Sequence, residues 1–331
     1  LISLTPSVVT TSDAGAGVGY TGFRIRGSDA SRINVTINGI PLNDSESQGV
    51  WWVNMPDFAS SLDNIQIQRG VGTSTNGAAA FGASINLKTM GLNQKAYTIT
   101  NNSIGSYNTQ KNNIELGSGL INNKFAFDAR LSKITSNGYM DRASSDLESL
   151  YLQGSYFGKK SVLKGIIFSG HERTYQAWNG VPQRYLDTNR TYNSYTYENE
   201  VDNYNQTHYQ LHYSEQLNPK TNINVATHYT HGEGYYEQEK LGQDLLDYGL
   251  SNILIGNDTI FSTDLIRRKW LNNDFSGITY SLNHKTNKIN LTIGGANNIY
   301  SGQHYGNVIW AQYASNGSFN HQYYKNIATK Y

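Results

Sequence analysis

The sequence has no cysteine, only 5 prolines among its 331 residues, and 15% charged residues. The absence of cysteine excludes disulfide bonds, thiol catalysis and thiolate-ligated metals. The formal net charge is +1, so the basic face of a nucleic-acid-binding protein is not expected. The longest apolar runs, 78–81 and 166–168, are far shorter than the ~20 residues of a transmembrane helix, but strands of a membrane barrel need only ~9–11.

Glycine (32 residues) and tyrosine (25 residues) are abundant, and they are distributed unevenly. Residues 1–90 are rich in Gly, Ser and Ala, whereas residues 91–331 are rich in Tyr, Asn and Thr. The amino-acid composition changes near Thr89, Met90 and Gly91. We therefore expect two domains, 1–90 and 91–331. The chain starts at Leu1 without a charged and then apolar leader, so we expect a processed or truncated start.

The first region has the pattern of a small α+β unit. Residues 32–38 read as a strand, and Asn38-Gly39 predicts a tight hairpin because both turn positions need a positive φ. Residues 65–68 and 85–88 predict two further strands. Residues 55–64 predict a short helix with Pro56 at its start.

The second region alternates between apolar and polar residues. In one segment Phe125, Phe127 and Leu131 share a face, and Asp128 and Arg130 share the other. The same alternation recurs in the segments 149–156, 208–214, 222–229, 278–283 and 288–293. Each segment therefore predicts a strand with one apolar and one polar face.

Short and long connections alternate along this region. Short turns are expected at 121–123, 158–160, 218–220 and 285–287, and longer segments at 137–146, 171–203, 232–269 and 301–320. An up-and-down barrel in an outer membrane has this parity, with tight periplasmic turns and long outer loops. We count about ten strands, with Phe, Tyr, Leu and Ile facing outward.

Three stretches resemble the plug of a TonB-dependent outer-membrane receptor. They are GFRIRG at 22–27, RINVTINGIPLND at 32–44, and DNIQIQRGVGTSTNGAAAFGASINLKT at 63–89. Asn38 stands where the family more commonly has Asp, and Gln66, Gln68, Val71 and Ala83 are further departures. The resemblance is close over residues 5–90 and extends over the rest as barrel architecture.

The resemblance implies a small α+β plug domain inside an antiparallel transmembrane β-barrel of 22 strands. With about ten strands and no TonB box before Leu1, we expect the N-terminal part of a longer protein. The implied function is import of a scarce nutrient through the outer membrane of a Gram-negative bacterium, with binding and plug rearrangement but no catalysis and no cofactor. The implied partners are the membrane lipids, an extracellular ligand and the energy-transducing TonB–ExbB–ExbD complex.

By position in the family motifs, Arg26 and Arg69 are expected to lock the plug to carboxylates of the barrel wall. A guanidinium facing a water-excluded wall needs a carboxylate or carbonyl partner. Most family partners lie on later strands, and Glu115 and Asp128 are weaker candidates here. The alternative is that the two arginines cap strand ends on the plug surface.

Ligand recognition is expected at three plug apices, 28–31, 43–52 and 72–77, and on a long barrel loop. The candidate residues are Ser28, Asp29, Asp44, Glu46, Gln48, Trp51, Trp52, Thr73, Asn76, Trp178 and Arg184. Polar groups beside paired aromatic rings suit a ligand that is both polar and ring-bearing. The alternatives are that the tryptophans pack the plug on the barrel wall and that the loop is an ordinary one.

Other patterns indicate no chemistry. Residues 17–22 match the nucleotide-binding pattern G-x-G-x-x-G. They precede an expected strand, however, and a bound phosphate needs the N-terminus of a helix at this position. His208 and His212 share a strand face and are expected to line the lumen. The expected ligand is a ferric siderophore or similar chelate, or alternatively a glycan or peptide. The rival functions are a plugged-barrel scaffold or signalling receptor, with a surface lipoprotein or in a larger complex, and a soluble carbohydrate-binding protein.

Overall fold

The computed structural model describes residues 4–71, 81–315 and 320–331. The first region forms six strands, which are β1 (Val8–Ser12), β2 (Thr21–Ile25), β3 (Ile33–Ile37), β4 (Ile40–Pro41), β5 (Leu62–Arg69) and β6 (Ala83–Thr89). β1 and β2 pair with each other, and the other four form a sheet in the order β4-β3-β6-β5. Asn38 and Gly39 have φ values of 53° and 84°, which confirms the tight β3–β4 hairpin.

The prediction of a short helix at 55–64 is wrong. The structure has two 3₁₀ helices, Trp52–Asn54 and Phe58–Ser61, and β5 begins at Leu62. Asp57 between them adopts a left-handed φ of 52°, which interrupts a right-handed helix. Leu62 and Asn64 instead pair with Thr89 and Lys88 of β6. Over the ranges that the structure describes, the helices of this region are all 3₁₀.

The second region forms one ten-stranded antiparallel sheet in which consecutive strands are neighbours. Its strands are β7 (Tyr97–Gly105), β8 (Thr109–Gly117), β9 (Phe125–Ser136), β10 (Ser145–Phe157), β11 (Ser161–Tyr175), β12 (Val201–Asn218), β13 (Thr221–Asp244), β16 (Ser262–Lys285), β17 (Asn290–Ala311) and β18 (His321–Lys330). A separate hairpin of β14 (Ile253–Ile255) and β15 (Asp258–Ile260) lies between β13 and β16. The expected count of about ten strands is therefore confirmed. β6 ends at Thr89 and β7 begins at Tyr97, but the domain division at residue 90 stays a prediction.

The alternation of short and long connections is confirmed from β9 onward, but the connection of β7 to β8, residues 106–108, is a short turn on the side where long segments are expected. The turns at 118–124, 158–160, 219–220 and 286–289 alternate with segments at 137–144, 176–200 and 245–261. The long segments are shorter than expected because β13, β16 and β17 are 22 to 24 residues long and continue into them.

The sheet has its apolar face outward. Phe127 and Leu131 on β9 are 54% and 57% exposed, whereas Asp128 and Arg130 between them are 5% and 1% exposed. In the segments covered by the structure, no helix is long and apolar enough to cross a membrane.

The plug region packs its core directly against the inner face of this sheet. Ile33, Val35, Ile85 and Phe58 form one buried cluster with barrel residues that include Phe168. The rings of Phe58 and Phe168 lie 4.7 Å apart. The core of the molecule therefore lies between the plug sheet and the barrel wall, and this position brings polar plug turns up to the inward face of the wall.

Candidate functional site

Between the plug and the wall lies a cavity of about 490 Å³. Its plug side consists of Asp13, Tyr20, Ile37 and most residues of the segment from Ile40 to Met55. Its wall side consists of inward residues of β12, β13, β16 and β17 together with Trp178 from the 176–200 loop. Four of the predicted ligand residues line it together, namely Asp44, Glu46, Trp51 and Trp178. A concave site with a few convergent polar groups is the usual form of a ligand-binding pocket.

One edge of the cavity is a cluster of aromatic rings. The Tyr20 ring lies 6.1 Å from Trp51 and 5.7 Å from Trp178, and Trp178 lies 5.5 Å from Tyr236 on β13, all in edge-on arrangements. Trp51 remains 52% exposed. The rings come from plug, loop and barrel, so this edge forms only when the three parts are assembled.

The turn at 43–49 presents the acidic residues. Asp44 Oδ1 accepts hydrogen bonds from the backbone N–H groups of Glu46 (3.0 Å) and Ser47 (2.6 Å). The Asn43 side chain fixes this turn to β3, because its Oδ1 accepts from Val35 N at 2.8 Å and its Nδ2 donates to Ile33 O at 2.9 Å. These hydrogen bonds therefore hold the turn against β3.

Two of the cavity carboxylates bridge plug and barrel. Glu46 Oε2 accepts from Tyr300 Oη at 2.8 Å and lies 2.6 Å from His304 Nε2, both on β17. Tyr20 Oη donates a short hydrogen bond to Asp202 on β12. Burial and the neighbouring Asp202 carboxylate raise the pKa of Tyr20 well above its usual range, so Tyr20 stays a neutral donor.

Several predicted ligand residues lie outside the cavity. Trp52 packs its ring 5.5 Å from Phe23 of the plug itself, beside the core, and the packing on the barrel wall weighed for it above stays a prediction. Gln48 donates to Ser45 O within its own turn at 2.9 Å. Asp29 Oδ1 accepts from Ser31 N at 3.2 Å and so caps the 3₁₀ helix Ala30–Arg32.

The remaining predicted ligand residues do not meet the cavity either. The Ser28 backbone pairs with Ile25, and Ser28 is not among the cavity-lining residues. Arg184 lies 4.8 Å from the Tyr185 ring on the outer loop. Thr73 and Asn76 lie outside the described residues. As ligand contacts, all of these residues stay predictions.

The predicted lock residues have no carboxylate partner in the residues placed by the structure. Arg26 and Arg69 are both exposed, and Arg69 Nη1 donates to Pro6 O at 3.3 Å. Asp128 accepts from Tyr97 Oη (3.0 Å) and Gln153 Nε2 (3.2 Å), both within the sheet. The lock role of the two arginines stays a prediction.

The structure shows a plug–wall contact of the opposite polarity, with the carboxylate on the plug. Asp57 Oδ2 accepts from Arg130 Nη1 (3.3 Å), Asn113 Nδ2 (2.7 Å) and Ser132 Oγ (2.7 Å), and its Oδ1 accepts from Lys111. The Arg130 side chain is 1% exposed and that of Asp57 is 4% exposed. Burial opposes the charge on Asp57, but the hydrogen bonds from Lys111, Ser60, Ser132 and Asn113 outweigh it and lower its pKa. We call Asp57, Lys111, Asn113, Arg130 and Ser132 the anchor.

Sequence reasoning missed the anchor and the wall of the cavity. Tyr20 is 182 residues from Asp202, and Glu46 is 258 residues from His304. The one available signal was a lone arginine on the inward face of β9, since a buried guanidinium needs an anionic partner.

Comparison with known proteins identifies the first region. The TonB-dependent Receptor Plug Domain family model matches residues 1–84, which confirms the resemblance drawn from the sequence motifs. No curated protein matches the chain.

Solved structures give the fold of the whole chain. The ferric-catecholate import receptor Fiu of E. coli K12 matches with 14% identity and a TM-score of 0.61 over 90% of this chain and 46% of its own. The ferric citrate transporter FecA matches with 18% identity and 0.62, over 95% and 46%. The ferripyoverdine receptor of the Pseudomonas aeruginosa outer membrane matches with 10% identity and 0.62, over 96% and 41%. The chain has the fold of the plug and of part of the barrel of these receptors, and it spans less than half of their length.

Proposed function

We propose that the chain is part of an outer-membrane importer of ferric chelates that is powered by the TonB–ExbB–ExbD complex. The observation that carries the proposal is the cavity between plug and wall, where four of the predicted ligand residues come together from two separate segments, the 43–52 apex and the 176–200 loop. The plug-domain match and the likeness to receptors for ferric catecholates and ferric citrate support it.

The cavity suggests how binding reaches the plug. Asp44 and Trp51 line the cavity, and Asn43 ties the turn that carries Asp44 to Val35 and Ile33 of β3. β3 is in turn paired with β6 from Ile33 to Ile37. A ligand that moves the turn therefore acts on the central strands of the plug sheet, while the anchor holds the plug to β8 and β9.

The proposal is tested by deleting the gene and measuring growth on iron-limited medium with single ferric chelates as the iron source. Growth on at least one chelate should be lost, and it should return with the wild-type gene but not when TonB is depleted. Unchanged growth and iron uptake with every chelate would contradict the proposal. Loss of a surface assembly without loss of uptake would favour the scaffold or signalling alternative.

A further inference from the structure

The cavity has an excess of negative charge. Asp13, Asp44, Glu46 and Asp202 line it, and among its described lining residues there is no lysine or arginine. Two cations touch lining residues without lining the cavity themselves. Lys330 Nζ donates to Ser45 O at 2.6 Å, and Lys269 Nζ lies 6.0 Å from the Tyr236 ring.

The carboxylates are not neutralised by ion pairs with lysine or arginine anywhere in the described chain. The Asp202 carboxylate accepts a hydrogen bond from the Tyr20 hydroxyl. The Glu46 carboxylate accepts one from the Tyr300 hydroxyl and is within hydrogen-bond distance of His304 Nε2. Asp44 uses only Oδ1 for the turn, and within the described residues its Oδ2 receives no hydrogen bond. This oxygen is therefore available to a donor on a ligand.

The aromatic edge of the cavity also favours a positively charged ligand group. Trp51, Trp178, Tyr20 and Tyr236 surround this edge, and the faces of such rings attract cations. An anionic ligand would lose its hydration beside the carboxylates of Asp44 and Glu46, and like charges placed together at an interface are costly. Both parts of the lining thus favour a positively charged group.

We propose that this cavity binds the cationic part of its ligand, so that the preferred ferric chelate carries an ammonium or similar group directed at Asp44 and the aromatic edge. The inference rests on the proposed import of ferric chelates and specifies the charge of the chelate.

A charge series on one iron core tests this inference. The probes are ferrioxamine B, which has a pendant ammonium group, its N-acetyl derivative, which is neutral, and its N-succinyl derivative, which is anionic. Binding to the receptor purified in detergent from its native membrane is measured by titration calorimetry. We expect the ammonium probe to bind about tenfold tighter than the succinyl probe, a difference of about 1.4 kcal/mol.

The variant Asp44→Asn should reduce this preference severalfold. Asparagine keeps the Oδ1 acceptor that orders the turn and removes only the charge. The control is Asp187→Asn, which removes an exposed carboxylate from the 176–200 loop outside the cavity and should leave the preference unchanged.

Equal affinities for the three probes, preference for the succinyl probe, or no binding of the ammonium probe would each overturn the inference. Receptor-dependent uptake of an anionic ferric chelate, without binding of the ammonium probe, would do so while leaving the proposed function intact. Failure of the proposed function itself would be recognised by a different result, namely unchanged growth of the deletion strain on every ferric chelate.

Discussion

The plug meets the barrel wall through two contacts of opposite character. In the anchor, the carboxylate and the Arg130 guanidinium are almost completely buried, and both Asp57 oxygens accept hydrogen bonds. At the cavity, the carboxylates have neutral hydroxyl donors, a histidine or no partner, and open space separates plug from wall. One side of the plug is therefore fixed to the wall by buried charges, while the other side borders an open cavity.

The largest expected effect comes from Arg130→Met, which leaves Asp57 buried without its guanidinium partner. Removing one member of a buried pair costs about 3–5 kcal/mol. Because Lys111 still contacts Asp57, we expect a loss near the lower end of this range, so the plug should be released at a lower urea concentration. Protease cleavage of the plug in the detergent-purified receptor measures the release. The control Lys133→Met breaks an exposed pair with Asp146 and Glu148 and should cost at most about 1 kcal/mol. Equal losses in both variants would contradict a special role for the anchor.

A smaller effect is expected from Gly170→Ala. A Cβ at Gly170 would lie 2.1 Å from the backbone oxygen of Asn54, so the plug must move away from β11. Overpacking of this kind costs about 1–3 kcal/mol. Gly165→Ala on the same strand meets nothing within 4 Å and is the matched control. A plug that is released at the same urea concentration in both variants would show that this close approach is unimportant.

Acid should weaken the anchor in a defined pH window. Because the folded-state pKa of Asp57 lies below its ordinary value of 3.8, the stability it contributes is complete above that value. It is lost as the pH falls through the lowered pKa. Plug release in urea, measured from about pH 5 down to about pH 2, should become easier in this window for the wild type. Asp57→Asn should show less of this pH dependence, and an identical profile would count against the assignment.

The smallest expected effect is that of Asn38→Asp, because the Asn38 side chain contacts the barrel only through Gln210, a residue that lines the cavity. Asn38 Nδ2 donates to Thr89 Oγ1 at 3.1 Å and to Gln210 Oε1 at 3.4 Å, and aspartate lacks these donors. The plug should lose about 1 kcal/mol, detectable as a small shift of the urea midpoint. Asp29→Asn, which keeps an acceptor for its cap on the plug surface, should shift it less. A loss of plug stability as large as that of Arg130→Met would contradict the difference between the anchor and the cavity side of the plug.

The parts of the fold that local patterns determine could be predicted from the sequence. The period of two on β9 and the Asn38-Gly39 turn act over a few residues, and both are confirmed. The helix at 55–64 was wrong because pairing of Leu62 with Thr89 on a distant strand overrides local preference. The anchor and the cavity wall depend on which inward side chains the barrel register places opposite each plug turn. A single sequence does not contain that information in local form.

The uneven strand lengths have a consequence for the shape of the receptor surface. β7 and β8 have 9 residues each, about the number a membrane crossing needs, whereas β13 and β16 have 24 each. The excess of about 14 residues at about 3.4 Å per residue, tilted by about 45°, rises roughly 30 Å. In a bilayer this side of the wall would project beyond the lipid headgroups. In the proposed outer-membrane importer, a molecule arriving from outside the cell would therefore meet this protruding part of the wall before it reaches the membrane.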